Sequence, residues 1–221
     1  MLKRLGHQNW WPAETPFEVC VGAILTQNTS WANVRRAIAN LKSAHVLDPK
    51  RLFALPESKL AELIRPAGYF NVKACRLRSF LAVLLEHFGG ELSQLFAGET
   101  RLVRERLLAI HGIGPETADS MLLYAGGHLS FVIDAYTQRI FQRHDWRLSA
   151  RRPVRQKRKE ANYEELKSLC ESVLNHKPRR DCLDYWQDFH AQLVVVGNRF
   201  CRSRQPRCDE CPLKSLLPES G

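Results

Sequence analysis

The chain has 221 residues, enough to bury a sizeable core as one domain or two small lobes. Its formal net charge of +10 asks for a polyanionic partner. An anionic membrane surface would suit that charge, but no apolar run approaches the roughly 18 residues of a span. The opening MLKRLGHQNWW lacks the continuous apolar core of a signal peptide, so no leader is expected. Seven cysteines, an odd number with three near the end, favour a reducing compartment and a metal site over a disulfide framework.

In chain order, Thr15-Pro16-Phe17-Glu18 reads as a capping box that opens a helix running to about Leu25. That helix is apolar almost all round, so it should be central. A second helix follows Ser30 with Trp31, Val34, Ile38 and Leu41 on one face, and shorter helices fit Pro49–Ala54 and Glu57–Arg65. Gly68 gives a break before a long helix striped by Leu77, Phe80, Leu81, Leu84 and Phe88, and Gly89-Gly90 ends it. Thr100 is expected to cap the next helix. Residues 151–159 carry six positive charges in nine, which suits a solvated loop adding salt-sensitive affinity for a polyanion. Leu166, Leu169, Cys170 and Val173 mark one later helix, and Trp186, Phe189, Leu193 and Val196 mark the last long one. No alternating strand pattern of useful length occurs, so the fold class is all-α.

The stretch LLAIHGIGPETADSMLLYA, residues 107–125, organises the rest. An apolar segment ends at Ile110, a tight His111-Gly112-Ile113-Gly114 link follows, and Pro115 starts a second helix. The two glycines permit positive φ and close backbone approach, and Pro115 suits a first helical position. Ala118, Met121, Leu122 and Ala125 share one face of that helix. A helix–hairpin–helix of this kind turns N–H groups outward, ready for a phosphate of nucleic acid. The same glycines would also serve a plain αα-corner.

With Asp134 in Val132-Ile133-Asp134-Ala135-Tyr136, this hairpin resembles the helix–hairpin–helix, Gly/Pro-loop, aspartate (HhH-GPD) signature of the endonuclease III superfamily of base-excision DNA glycosylases. The resemblance covers nearly the whole chain: PFEVCVGAILTQNTS, the hairpin, the aspartate and a cysteine-rich tail, in family order. Trp10-Trp11-Pro12 and Leu25-Thr26-Gln27-Asn28-Thr29 resemble the 3-methyladenine DNA glycosylase branch. The resemblance implies two helical lobes with a cleft between them and Asp134 on its rim. One lobe is a six-helix barrel over residues 24–130 with the hairpin at about 103–125; the other joins residues 1–23 to 131–221 and carries a cysteine-rich loop at 201–217.

Cleaving an N-glycosidic bond leaves a sugar with oxocarbenium character, which a fixed carboxylate stabilises while it orients a water. Asp134 is the candidate, in a V-[VI]-D-x-x-x-x-R context that matches the family's catalytic aspartate; it also suits an N-cap for a helix from Ala135, and the two roles are compatible. Two residues after Gly114 the strand-cleaving relatives carry a lysine that forms a Schiff base. Here the residue is Glu116, which forms no imine, so the expected enzyme is monofunctional and uses water.

A base must leave the stack to be cut. Trp10, Trp11 and Pro12, with Trp31 and Glu116, are the expected lining of its pocket, because an indole face attracts the cationic N3- or N7-alkylpurines as well as stacking on them. Tryptophans near a helix start also suit core anchors, Trp31 on its apolar stripe most of all. Gln27 and Asn28, with His111, Gly112, Ile113, Gly114 and Thr117, are the expected DNA contacts, Gln27 at the position that fills the space of the flipped base.

The tail reads Cys201-x6-Cys208-x2-Cys211, and the family's [4Fe–4S] pattern would place its last cysteine at Leu217. Three outcomes stay open: an unusual fourth ligand completes a cubane, the cluster is three-iron or labile, or the site is vestigial. Zinc is less favoured, since no histidine follows His190. By resemblance the role is structural, pinning a basic loop with Arg202, Arg204 and Arg207. Cys20, Cys75, Cys170 and Cys182 read as small buried helix residues. The expected partner is damaged double-stranded DNA, met by a monomer in a bacterial or archaeal cytoplasm without a membrane or a nucleotide cofactor. A lyase acting on oxidised pyrimidines and a non-catalytic DNA-binding hairpin module are the alternatives.

Overall fold

A computed structural model describes residues 1–146, 163–175 and 181–218. The basic run 151–159 lies outside the described residues. The described residues are helices and turns with no strand, and none of the helices is long and apolar enough to cross a membrane.

The chain forms two compact units. Residues 1–10, with the single turn α1 (Leu2–Leu5), belong to the unit completed from Phe131 onward; Trp11–Ser130 form the other. In the latter, α2 (Pro16–Thr26), α3 (Trp31–Ser43), α4 (Pro49–Ala54), α5 (Glu57–Leu63) and α6 (Phe70–Phe88) follow one another. A one-turn α7 (Leu92–Leu95), α8 (Thr100–Leu108) and α9 (Pro115–Met121) complete it, α9 running on into a π turn over Leu122–Gly126. The sequence placed residues 1–23 with the other lobe; instead α2 is the axis of this one. Its residues from Phe17 to Leu25 are all buried, and it packs on α3, α6 and α9. An apolar residue at almost every position leaves no polar face to turn to solvent.

Local chemistry fixes the ends of these helices. Thr15 accepts the Glu18 N–H at 3.1 Å, while the Glu18 carboxylate reaches one residue further back than a simple capping box, accepting from Glu14 N at 3.1 Å. It also pairs with Lys42 at 2.9 Å. Thr100 is not the cap expected: Glu99 takes that position, and Thr100 Oγ1 bonds His128 Nδ1 at 3.1 Å. The end of α2 is closed by a buried lysine. Lys73 Nζ on α6 donates to Leu25 O and Ala67 O, each at 2.8 Å. Burial, together with the nearby Arg76, pushes its pKa down to about 8.

The other unit holds α10 (Ala135–Arg143), α11 (Tyr163–Asn175) and α12 (Cys182–Arg199), with α10 laid along α12. Gly197 makes that contact possible: a Cβ there would lie 2.4 Å from Tyr136 Cβ. Val173, expected on the buried face of α11, is 64% exposed. The face is rotated toward Lys167, which is buried because its ammonium is needed at Phe131 O, 3.3 Å away. Cys75 is likewise exposed and Cys182 partly so, whereas Cys20 and Cys170 are buried. On α6 the apolar stripe from Leu77 to Leu84 lies opposite Cys75.

Candidate nucleic-acid interface and catalytic carboxylate

The hairpin is held from inside by two isoleucines. Ile110 and Ile113 are buried on either side of the turn, and Ile113 N donates to Ile110 O at 3.1 Å. Gly112 has φ +86°, and a Cβ there would sit 2.2 Å from Arg76 Cγ, so only glycine fits. Gly114 differs from the expectation. Its φ of −95° is open to any residue, and no atom lies within 4 Å of where a Cβ would be. It stands at the N-cap of α9 with no side-chain cap, exposed beside exposed His111. Behind the turn, Arg104 on α8 grips Asp119 on α9 through two bonds of 2.8 and 3.1 Å, and Ser130 Oγ donates to the same buried carboxylate at 2.6 Å. The two helices are therefore tied together through one buried carboxylate.

Gln27 is bound into this structure. Its Nε2 donates to Gly112 O at 3.0 Å and to Thr117 Oγ1 at 2.9 Å, and Arg76 Nη1 donates to its Oε1. Three of the predicted DNA contacts thus meet each other, and Thr117 is buried. Asn28, next in sequence, is exposed with φ +54°. Arg76, which no motif singled out, joins the cluster from 49 positions away.

Of the predicted aromatics, Trp11 and Trp31 meet edge to face, with centroids 5.2 Å apart and planes at 88°. Tyr124, from the π turn, joins them at 5.4 Å from Trp11. Gly22 in mid-α2 makes room for the indole; a Cβ there would lie 3.3 Å from Trp11 Cζ2 and Nε1. Both tryptophans are partly exposed while packed on the core. Trp10 belongs to the other unit, and Pro12 is exposed. Tyr124 falls off the Ala118–Met121–Leu122 core face, and that offset was its signal. Glu116 is exposed in the first turn of α9. In the same unit, Lys73 has the lowered pKa of an imine-forming amine, yet it is 1% exposed and committed to two carbonyls.

Asp134 caps α10, its Oδ1 accepting Thr137 N at 2.7 Å, and it is half-buried. The loop before it is buried at Phe131, Val132 and Ile133 and held by α11. Glu171 Oε1 accepts Phe131 N at 2.8 Å, and Lys167, paired with Glu171 at 2.7 Å, donates to Phe131 O. Burial holds the His190 imidazole below its ordinary value, with the Asp134 charge opposing. The arginine of the V-[VI]-D-x-x-x-x-R context, Arg139, donates from Nε to Cys201 O at 2.6 Å and from Nη2 to Gly197 O at 3.0 Å. It fastens the helix that carries the carboxylate to the end of α12.

The tail thiols line a small cavity. Cys201, Cys208 and Cys211 share its wall with Arg143, His144 and Leu217. All seven cysteines are free thiols. The three surround a space instead of converging: among the described residues no group of three or more His, Cys, Asp or Glu is gathered for a single metal ion. Two sulfurs accept hydrogen bonds, Cys201 from Arg143 Nη1 at 3.0 Å and Cys211 from Leu213 N at 3.4 Å. Burial pushes the Cys211 thiol up, the Leu213 N–H opposes this, and Cys201 and Cys208 add to it. Arg202, Arg204 and Arg207 are exposed, and Arg207 pairs with Glu210.

A helical chain with a glycine hairpin and, 20 residues after Gly114, a capped aspartate defines the helix–hairpin–helix glycosylase class. The model of the HhH-GPD superfamily of base excision DNA repair proteins matches residues 21–172, and the chain belongs to that family. A Methanocaldococcus jannaschii protein classed with the DNA repair glycosylases is 45% identical over 217 residues, 98% of this chain and 91% of that one. Among solved structures, Helicobacter pylori 3-methyladenine DNA glycosylase bound to 1,N6-ethenoadenine is 28% identical with a TM-score of 0.68, covering 86% of this chain and 88% of that one. An endonuclease III–DNA complex superposes at a TM-score of 0.76 with 21% identity, over 99% and 90% of the two chains, a likeness of fold. The chain is a base-excision DNA glycosylase by family.

Proposed function

We propose that the protein is a monofunctional glycosylase that hydrolyses alkylated purines, 3-methyladenine first, from damaged duplex DNA. The observation that carries this reading is that Asp134 is fixed as a helix cap while the residue at position 116 is a glutamate. A fixed carboxylate is available to the developing oxocarbenium ion, and the position of the imine-forming lysine is a carboxylate that forms none. Buried Lys73, held by Leu25 O and Ala67 O, is no substitute. Support for the alkylpurine comes from the Trp11–Trp31–Tyr124 group, whose electron-rich faces favour a cationic base. The likeness to the H. pylori 3-methyladenine enzyme agrees.

In this reading the exposed rim of the hairpin, His111 and Gly114 with Asn28, takes the DNA backbone. Gln27 and Thr117 hold that rim in shape, and Gln27 stands at the position that fills the space of the flipped base. Asp134 stabilises the sugar cation and orients the water that attacks it. The cysteine loop holds an iron–sulfur cluster that is structural and keeps Arg202 and Arg204 toward the DNA. The chain acts as a monomer in the cytoplasm.

The test is release of base from duplexes carrying 3-methyladenine or an oxidised pyrimidine, with and without alkali. We expect loss of 3-methyladenine, strand breaks only after alkali, and no adduct trapped by borohydride. A trapped adduct, or preference for the oxidised pyrimidine, would overturn the reading.

A further inference from the structure

The thiol cavity has three sulfur donors and a leucine at the family's fourth position. Leu217 lines the wall and offers no lone pair. On the same wall stands His144, the C-cap residue of α10, 6% exposed. Its Nδ1 lies 3.0 Å from Leu216 O. A carbonyl oxygen only accepts, so that nitrogen carries the proton, and in the neutral ring Nε2 keeps its lone pair. A ring nitrogen pinned by a backbone carbonyl, with the other nitrogen left to ligate, is the usual arrangement of a metal-bound histidine. The peptide that pins it comes from the residue beside Leu217, so the chain that dropped the cysteine is the chain that orients the imidazole. The sulfurs already accept an arginine N–H and a backbone N–H, bonds of the kind that tune cluster thiolates.

We infer that His144 replaces the missing cysteine, its Nε2 completing a three-cysteine, one-histidine ligand set with Cys201, Cys208 and Cys211 for an iron–sulfur cubane. The inference rests on the cluster reading given above. The sequence hid it because the fourth ligand lies 57 positions before the first thiol, outside the tail motif. The exchange puts a neutral donor where a thiolate would add negative charge, so the cluster is easier to reduce than a four-thiolate one.

The experiment uses the full chain, reconstituted anaerobically with iron and sulfide. Metal and acid-labile sulfide are counted, and the reduced state is probed for ¹⁴N coupling by pulsed electron paramagnetic resonance. We expect about four irons per chain and a strong nitrogen coupling. His144→Cys should keep the iron, lose the coupling and lower the potential. His144→Ala should lose most of its iron, and adding Leu217→Cys should restore it; this pair and His144→Cys carry the test if the alanine variant fails to fold. Wild-type protein that takes up no iron and sulfide, or takes zinc in their place, overturns the cluster reading and this inference together. A full cluster without nitrogen coupling overturns the role of His144 alone.

Discussion

Replacing Asp134 separates its observed job, capping α10, from the one proposed for it in catalysis. As a cap, its Oδ1 accepts the Thr137 N–H at 2.7 Å. Asparagine keeps that oxygen and its geometry, so Asp134→Asn should cost little stability, whereas Asp134→Ala loses the cap at about 1 kcal/mol. In a chain of this size that is a fall in Tm of about 2–4 °C. In the proposed reaction the Asp134 charge stabilises a sugar cation that asparagine stabilises far less; losing a preorganised electrostatic partner costs about 3–4 kcal/mol, or a hundredfold to a thousandfold in rate. The substitution adds no new titration nearby, because burial already holds His190 below its ordinary value and the Asp134 charge is what opposes it. Single-turnover release of 3-methyladenine, thermal melts and binding to an uncleavable duplex should be measured on all three proteins. Both variants should be slow, both should bind, and only the alanine variant should melt early. An asparagine variant within threefold of the wild-type rate would remove Asp134 from the chemistry.

Other outcomes follow from neighbouring geometry. Gly112→Ala should destabilise the larger unit by about 2 kcal/mol or more, since it meets both a left-handed backbone and Arg76 Cγ. Gly114→Ala, in open space with an ordinary φ, should melt like wild type yet bind duplex several-fold more weakly; unchanged binding would show that the rim does not face phosphate. Trp11→Leu should reduce release of 3-methyladenine more than that of neutral hypoxanthine, by a few-fold to about thirtyfold, as loss of about 0.5–2 kcal/mol of cation–π attraction requires; equal losses would remove the charge argument. Lys73 is held near 8 when folded against an ordinary 10.5, so the unfolded chain binds more protons between those values. Stability of wild type relative to Lys73→Met should therefore rise from pH 8 toward 10.5, and a flat difference in urea melts across that range would refute it.

Periodicity and punctuation made most of the fold legible. Thr15, Asp48 and Asp134 cap helices as short polar side chains before apolar runs do, and Gly68 and Gly89 bound α6. Thr100 misled because Thr at a helix start signals a cap only when it precedes the first helical residue; here it is that residue. Asp134 and the hairpin were readable because their chemistry is local. What escaped was long-range: Arg76 reaching Gln27, Tyr124 turning toward Trp11, and the Lys167–Glu171 pair bracketing Phe131. Each of these depends on which helix ends up beside which, and spacing along one segment carries no record of that.

Arg139 has a consequence for how this unit comes apart. Its guanidinium spans from the helix that begins at Asp134 to Gly197 O and Cys201 O, the last turn of α12 and the first thiol residue. Arg143, one turn on, reaches Cys201 Sγ and Arg202 O. Fraying the C-terminal loop therefore strips Arg143 of both acceptors and Arg139 of Cys201 O, leaving Arg139 with Gly197 O on α12, so the hold on the last turns of α10 weakens together with the loop. Damage to the tail, by oxidation of a thiol or by a protease, is then felt in the helix that carries the carboxylate.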